Sequence, residues 1–114
     1  MFDEASTPSG QITVERHGGV RIVSFRGEHD LGSAELARDL LDDARRHGDV
    51  VIVDLTGTLL IDSTIVRTLF NVHQADSPPK VRFVVARGSQ PQKVMTTTRF
   101  DTGLPLYDRL EDAL

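Results

Sequence analysis

Val50-Val51-Ile52-Val53-Asp54-Leu55, followed after a short polar turn by Leu59-Leu60-Ile61-Asp62-Ser63-Thr64-Ile65-Val66-Arg67-Thr68-Leu69-Phe70, decides the fold of this chain. The first run is continuous and β-branched, the pattern of a strand buried on both faces of a sheet. After Asp62-Ser63-Thr64 the apolar residues change to helical spacing, with Ile65, Val66, Leu69, Phe70 and His73 on one side. Asp62 or Ser63 therefore reads as a helix N-cap, a role that contributes about 1 kcal/mol and needs no further function. At such a terminus the free backbone N–H groups and the helix dipole favour negative charge. The hydroxyls of Ser63 and Thr64 thus occupy a place suited to a phosphate.

On the N-terminal side, residues 11–16 alternate apolar and polar, His17-Gly18-Gly19 supplies a turn, and residues 20–25 form a second strand. That is a β-hairpin. Residues 27–32 read as a loop. Ser33 is the expected N-cap of a helix carrying Leu36, Ala37, Leu40, Leu41 and Ala44, and Gly48 ends it. On the C-terminal side, Ser77-Pro78-Pro79 breaks the second helix and residues 81–86 form a strand. A helix over 91–98, a loop over 100–104, a short strand at Leu106-Tyr107 and a last helix over 108–114 complete the chain.

Strands separated by helices imply parallel pairing, and the hairpin adds an antiparallel edge. The expected fold class is α/β: a mixed four- to five-stranded β-sheet with about four α-helices packed mainly on one face. Residues 1–10 are rich in Ser, Pro and Gly and read as a disordered tail before one domain over 11–114.

The chain has 114 residues, enough for one core. A net charge of -4 without any basic block argues against nucleic acid as a partner. Cysteine is absent, which removes disulfides and thiolate metal sites. The acidic, polar start is unlike a signal peptide, and no apolar run approaches the ~20 residues of a membrane helix. The expectation is a cytoplasmic protein without direct membrane insertion. His17, His29, His47 and His73 show no metal-ligand spacing, and neither Gly-x-Ser-x-Gly nor Gly-x-x-x-x-Gly-Lys occurs. No metal, no cofactor and no catalytic residue is expected, which leaves a small hydrolase or phosphatase as the weakest functional class.

Three segments, in order, carry a family resemblance. Phe25-Arg26-Gly27-Glu28-His29-Asp30-Leu31-Gly32-Ser33-Ala34-Glu35 is similar to a Gly-Glu-Leu-Asp loop leading into a first helix. Val53-Asp54-Leu55 with Ile61-Asp62-Ser63-Thr64 is similar to an Asp-Leu … Asp-Ser-Ser/Thr-Gly segment. Arg99-Phe100-Asp101-Thr102-Gly103-Leu104 is similar to a hydrophobic turn ending in Gly-Leu. Together, over about residues 11–114, they resemble the STAS domain family of bacterial anti-sigma factor antagonists and sulphate-transporter tails.

The resemblance implies an anti-sigma factor antagonist of the partner-switching type. Its partner would be an anti-sigma factor that is also a serine kinase and brings its own Mg-ATP; a phosphatase would reset it. Carried over by position, the phosphoacceptor is Ser63, with Thr64 the runner-up, and the loop aspartate needed for recognition is Asp30. Asp62, Ser63, Thr64, Ile65 and Arg67 join Asp30 as the expected partner-binding set. Ile65 stands where the family usually has Gly, a change that leaves the hydroxyl in place and narrows the choice of partner. The resemblance also admits a stand-alone subunit of a lipid ABC transporter, not phosphorylated, and leaves room for a weak homodimer.

Two further expectations come from the residues themselves. Asp54, at a strand end, reads as a structural acceptor for loop amides. Most of Leu59, Leu60 and Ile61 should pack into the core, with Leu59 the candidate for an exposed rim. Val66, Phe70, Arg67, Asn71 and Gln74 are candidates for a mixed apolar and polar contact surface.

Overall fold

The computed structural model describes residues 2–6, 10–48, 50–73, 81–98 and 106–114. Strands β1 (Phe2–Ser6), β2 (Gly10–His17) and β3 (Val20–His29) are followed by helix α1 (Leu31–His47), then β4 (Val50–Asp54), β5 (Thr58–Ile61) and α2 (Ser63–His73). Strand β6 (Val81–Val84), α3 (Gln90–Thr98), β7 (Leu106–Tyr107) and α4 (Leu110–Ala113) complete the order. The sheet runs β1-β2-β3-β4-β6-β7, with β5 paired beside β3. Pairing is antiparallel from β1 to β3 and parallel beyond, so the sheet is mixed as expected.

Among the described residues the strands number seven rather than four to five. Part of the expected disordered tail is the edge strand β1, with Phe2 opposite Glu15 and Ser6 opposite Gln11. An edge strand needs only backbone donors and acceptors on its paired side, so a polar sequence suffices. The second addition is β5. β3 pairs with β4 through Val20–Ser24 and then, along the same edge, with β5 from Gly27, where the register shifts between Gly27 and Glu28. Gly27 holds φ at +82°, a conformation that costs a glycine little. Across the gap, Gly27 N–H donates to Gly57 O (3.2 Å), and the buried Thr58 hydroxyl donates to Phe25 O (2.7 Å). Meanwhile Leu55 N–H donates to Val84 O (2.8 Å), so β4 leans toward β6 as the chain leaves it.

Alternation along the strands divides the core between the two faces. Val23, Phe25, Val51, Val53 and Phe83 point to one side, against Ala37 and Leu41 of α1, Ile65, Val66 and Leu69 of α2, and Met95 of α3. Ile22, Ile52 and Val84 point to the other, against Ala113 of α4. Three helices therefore share one face and the short α4 covers the other, anchored where Arg82 Nη1 donates to Ala113 O (2.7 Å).

The first helix begins earlier than expected. Its N-cap is Asp30, in extended conformation, accepting from Gly32 N–H (2.8 Å). Ser33, the expected cap, lies buried inside the first turn. Its hydroxyl instead meets the ring of His29, as described below. The segment 77–79 and the motif at 99–104 lie outside the described residues.

Candidate functional site

All the parallel strands end on one side of the molecule, and ligand and partner sites of α/β sheets favour the loops at these carboxyl ends. Here the loops after β3 and β5 are joined by a hydrogen bond from Asp62 N–H to His29 O (3.2 Å). Asp30 and Ser63 are thus each one residue from a common link. The structure brings together the two positions that the sequence separates by 33 residues.

Buried groups hold this link. His29 is 2% exposed, with its ring edge-on to Phe25 at 5.1 Å. Its Nε2 lies 2.9 Å from Arg26 O; a carbonyl only accepts, so Nε2 carries the hydrogen. Its Nδ1 lies 3.1 Å from Ser33 Oγ, and that hydroxyl also lies 3.1 Å from Asp30 O. Gly10 leaves room for this ring. A Cβ there would sit 2.8 Å from the imidazole and 2.5 Å from Glu28 O.

On the other side, Gln90 of α3 completes the free edge of β5. Its Nε2 donates to Ile61 O (2.9 Å) and its Oε1 accepts from Ile61 N–H (2.9 Å). One carboxamide thereby satisfies a backbone residue as a neighbouring strand would. Asp62 then caps α2: Oδ1 accepts from Ile65 N–H (3.0 Å), and Val66 N–H donates to Asp62 O (3.2 Å). Of the two expected caps, Asp62 is the one used.

Ser63 consequently stands at the first position of α2, exposed, with its hydroxyl unbonded to any described residue. Thr64 is half-buried, and its carbonyl accepts from the Thr68 hydroxyl (3.0 Å). Asp30 and Arg67 are exposed. Ile65, expected among the contact residues, is 0% exposed and contributes core rather than surface. Its side chain therefore lies inside the fold. Val66 is likewise buried and Phe70 packs partly against the core, while Asn71 is exposed; Gln74 lies outside the described residues.

The apolar cluster before the helix also departs from expectation. Only Ile61 is buried; Leu59 is 69% exposed and Leu60 47%. The reason is that 58–61 is a strand, flanked by β3 and tied to α3 through Gln90, so its two middle residues are left outside. Asp54 performs the expected structural task, accepting from Thr56 N–H (2.9 Å) and the Thr56 hydroxyl (2.7 Å).

A cleft of about 330 Å³ separates α2 from α3 beside the serine, lined by Ser63, Gln90, Lys93, Val94 and Thr97. Sequence reasoning missed His29, Gln90 and Lys93. Gln90 and Ile61 meet across 29 residues, and no local pattern announces such a pair. No group of His, Asp and Glu among the described residues could hold a metal ion, and no described helix is long and apolar enough to cross a membrane.

Comparison with known proteins agrees with this architecture. A crystal structure of an anti-sigma factor antagonist from Mycobacterium paratuberculosis is similar with TM-score 0.81 and 24% identity, over 96% of this chain and 95% of that one. The phosphorylated form of the Bacillus cell fate determinant SpoIIAA matches with TM-score 0.63 and 14% identity, over 89% and 95%. A sulfate transporter family protein from Wolinella succinogenes matches with TM-score 0.68 and 19% identity, over 88% and 85%. At these identities the likenesses speak for the fold. No curated protein matches significantly in sequence. The STAS domain profile matches residues 11–113, nearly the whole chain, and the protein is a member of the STAS domain family.

Proposed function

We propose that this protein is an anti-sigma factor antagonist. It binds an anti-sigma factor that is also a serine kinase, frees the sigma factor for transcription, and is switched off when that kinase phosphorylates Ser63 with its own Mg-ATP. A phosphatase restores the binding form. The protein works in the cytoplasm, supplies an acceptor and a surface, and performs no catalysis itself.

One observation carries the reading: an exposed, unbonded hydroxyl on a backbone fixed by the buried His29 and the half-buried Gln90. A kinase needs a reachable hydroxyl; a pure helix cap would have its oxygen on a backbone N–H, and here Asp62 does that work. Thr64, half-buried, is the poorer acceptor. Leu59 and Leu60 beside the serine offer apolar area, and Asp30 and Arg67 offer charge, a composition suited to a reversible interface. A phosphate adds about -1.5 to -2 charges. The start of α2 tolerates that charge within the domain, whereas a partner pressed against it would have to desolvate it. A coupling of about 3 kcal/mol would weaken binding more than a hundredfold.

The test is an affinity measurement with the anti-sigma kinase encoded nearest the gene. Wild type and Ser63→Ala should bind, and Ser63→Asp should bind at least tenfold more weakly. Equal retention of Ser63→Asp would remove the phosphorylation-controlled interface. A second reading, a stand-alone subunit of a lipid ABC transporter, draws on the likeness to the sulfate transporter family protein. It predicts a transporter operon around the gene and no phosphate on Ser63.

A further inference from the structure

Charge around Ser63 is arranged asymmetrically. On the strand side stand two carboxylates already engaged by backbone: Asp30 accepts from Gly32 N–H and Asp62 from Ile65 N–H. On the helix side stand two cations. Lys93 of α3 shares the walls of the 330 Å³ cleft with Ser63. Arg67 lies four residues along α2 from Ser63, which places the two on one helical face within side-chain reach. Both cations are exposed, and neither pairs with a carboxylate among the described residues. The remaining walls, Gln90, Val94 and Thr97, carry no negative charge, and the Gln90 carboxamide is occupied by Ile61.

We propose that phosphoserine at position 63 turns into the α2–α3 cleft and is gripped within the same chain by Lys93 and Arg67. The inference rests on Ser63 being the acceptor, and it adds how the phosphate acts. A dianion on Ser63 is repelled by Asp30 and Asp62 and drawn toward the two cations, so its direction is set by the four groups together. Arginine offers the phosphate a two-pronged contact and lysine a point charge. In the unmodified protein the same Lys93 and Arg67 are available to an acidic surface on the partner. Phosphorylation then does two things at once: it adds charge, and it takes both cations away from the partner. A single Asp at 63 has a shorter reach and one charge, so it reproduces the first effect and little of the second.

The grip is read by the second ionisation of the phosphate, which lies near pH 6 in the absence of partners. Cations that hold the dianion lower it. Phosphoserine is installed at position 63 during translation, and the midpoint is followed by phosphorus NMR in wild type, Arg67→Ala, Lys93→Ala and the double variant. Each single substitution should raise the midpoint by about 0.3 to 0.5 pH unit, the size expected of exposed ion pairs. The double variant should show the sum, and Lys93→Arg should keep the wild-type value. The start of α2 acts equally in all of them, so the differences isolate the two side chains. A double variant with the wild-type midpoint overturns the grip. Because no kinase is used, that failure is distinct from a failure of Ser63 to be modified by its kinase.

Discussion

The two ends of the sheet are both polar, yet they differ in what their polar groups do. At the end where β3 begins, a cleft of about 270 Å³ is lined by Val14, Arg16, Arg21, Asp43, Ala44 and His47. Its exposed groups are turned on one another and on nearby backbone. Arg21 Nη1 donates to Gly18 O (2.8 Å), and the His47 ring meets Asp43 O (2.9 Å). At the other end the order is reversed. Buried side chains fix the backbone, and the exposed groups, namely the Ser63 hydroxyl, Lys93, Arg67, Leu59 and Leu60, are left outside. A cleft alone marks neither end as functional. The difference lies in whether the surface groups are engaged by the fold or held out by it.

The largest expected effect strikes the support beneath the site. His29→Ala removes a buried ring, its bond to Arg26 O and its contact with Ser33. Urea denaturation should show a loss of about 3 kcal/mol. A loss below about 1 kcal/mol would mean that His29 does not hold the link between the two loops. Next, Gln90→Ala leaves the N–H and C=O of Ile61 without their partner. Stability should fall by about 1 to 2 kcal/mol, and labelling of Ser63 by its kinase should slow. Gln90→Glu keeps only the acceptor and should fall between the two. Unchanged labelling in Gln90→Ala would separate the β5 edge from the acceptor.

These two expectations also show what the sequence carried and what it withheld. The β-branched run at 50–55 and the helical spacing after Asp62 are local patterns, and both elements stand where they were expected. The cap of α2 was narrowed to Asp62 or Ser63 for the same reason, and the bond from Ile65 N–H to Asp62 Oδ1 decides between them. The cap at Asp30 was assigned to Ser33, because both residue types suit the role and only the buried His29 decides which one is drawn inward. β5 was hidden by its composition. Leu59 and Leu60 look like core, and they are exposed because β5 carries an extra residue, Leu59, against β3, and a glutamine from α3 ties down the strand's far edge. The supports of the site are long-range contacts, and local patterns contain no record of them.

Smaller effects test the ends of the comparison. Asp62→Ala removes the cap of α2 and should cost about 1 kcal/mol in urea denaturation; Asp62→Asn should recover most of it. An Asp62→Ala protein as stable as wild type would shift the capping role to Ser63. At the opposite end, His47→Ala removes an exposed ring. It should change stability by less than about 0.5 kcal/mol and leave kinase labelling of Ser63 unchanged. A large effect of His47→Ala on labelling would break the contrast between the two ends.

The most direct measurement is mass spectrometry of the protein after incubation with the proposed anti-sigma kinase and Mg-ATP. The account predicts one phosphoryl group in wild type and in Thr64→Ala, located on Ser63, and none in Ser63→Ala. Phosphate retained in Ser63→Ala would contradict it, as would a wild-type protein left unmodified by a kinase that binds it.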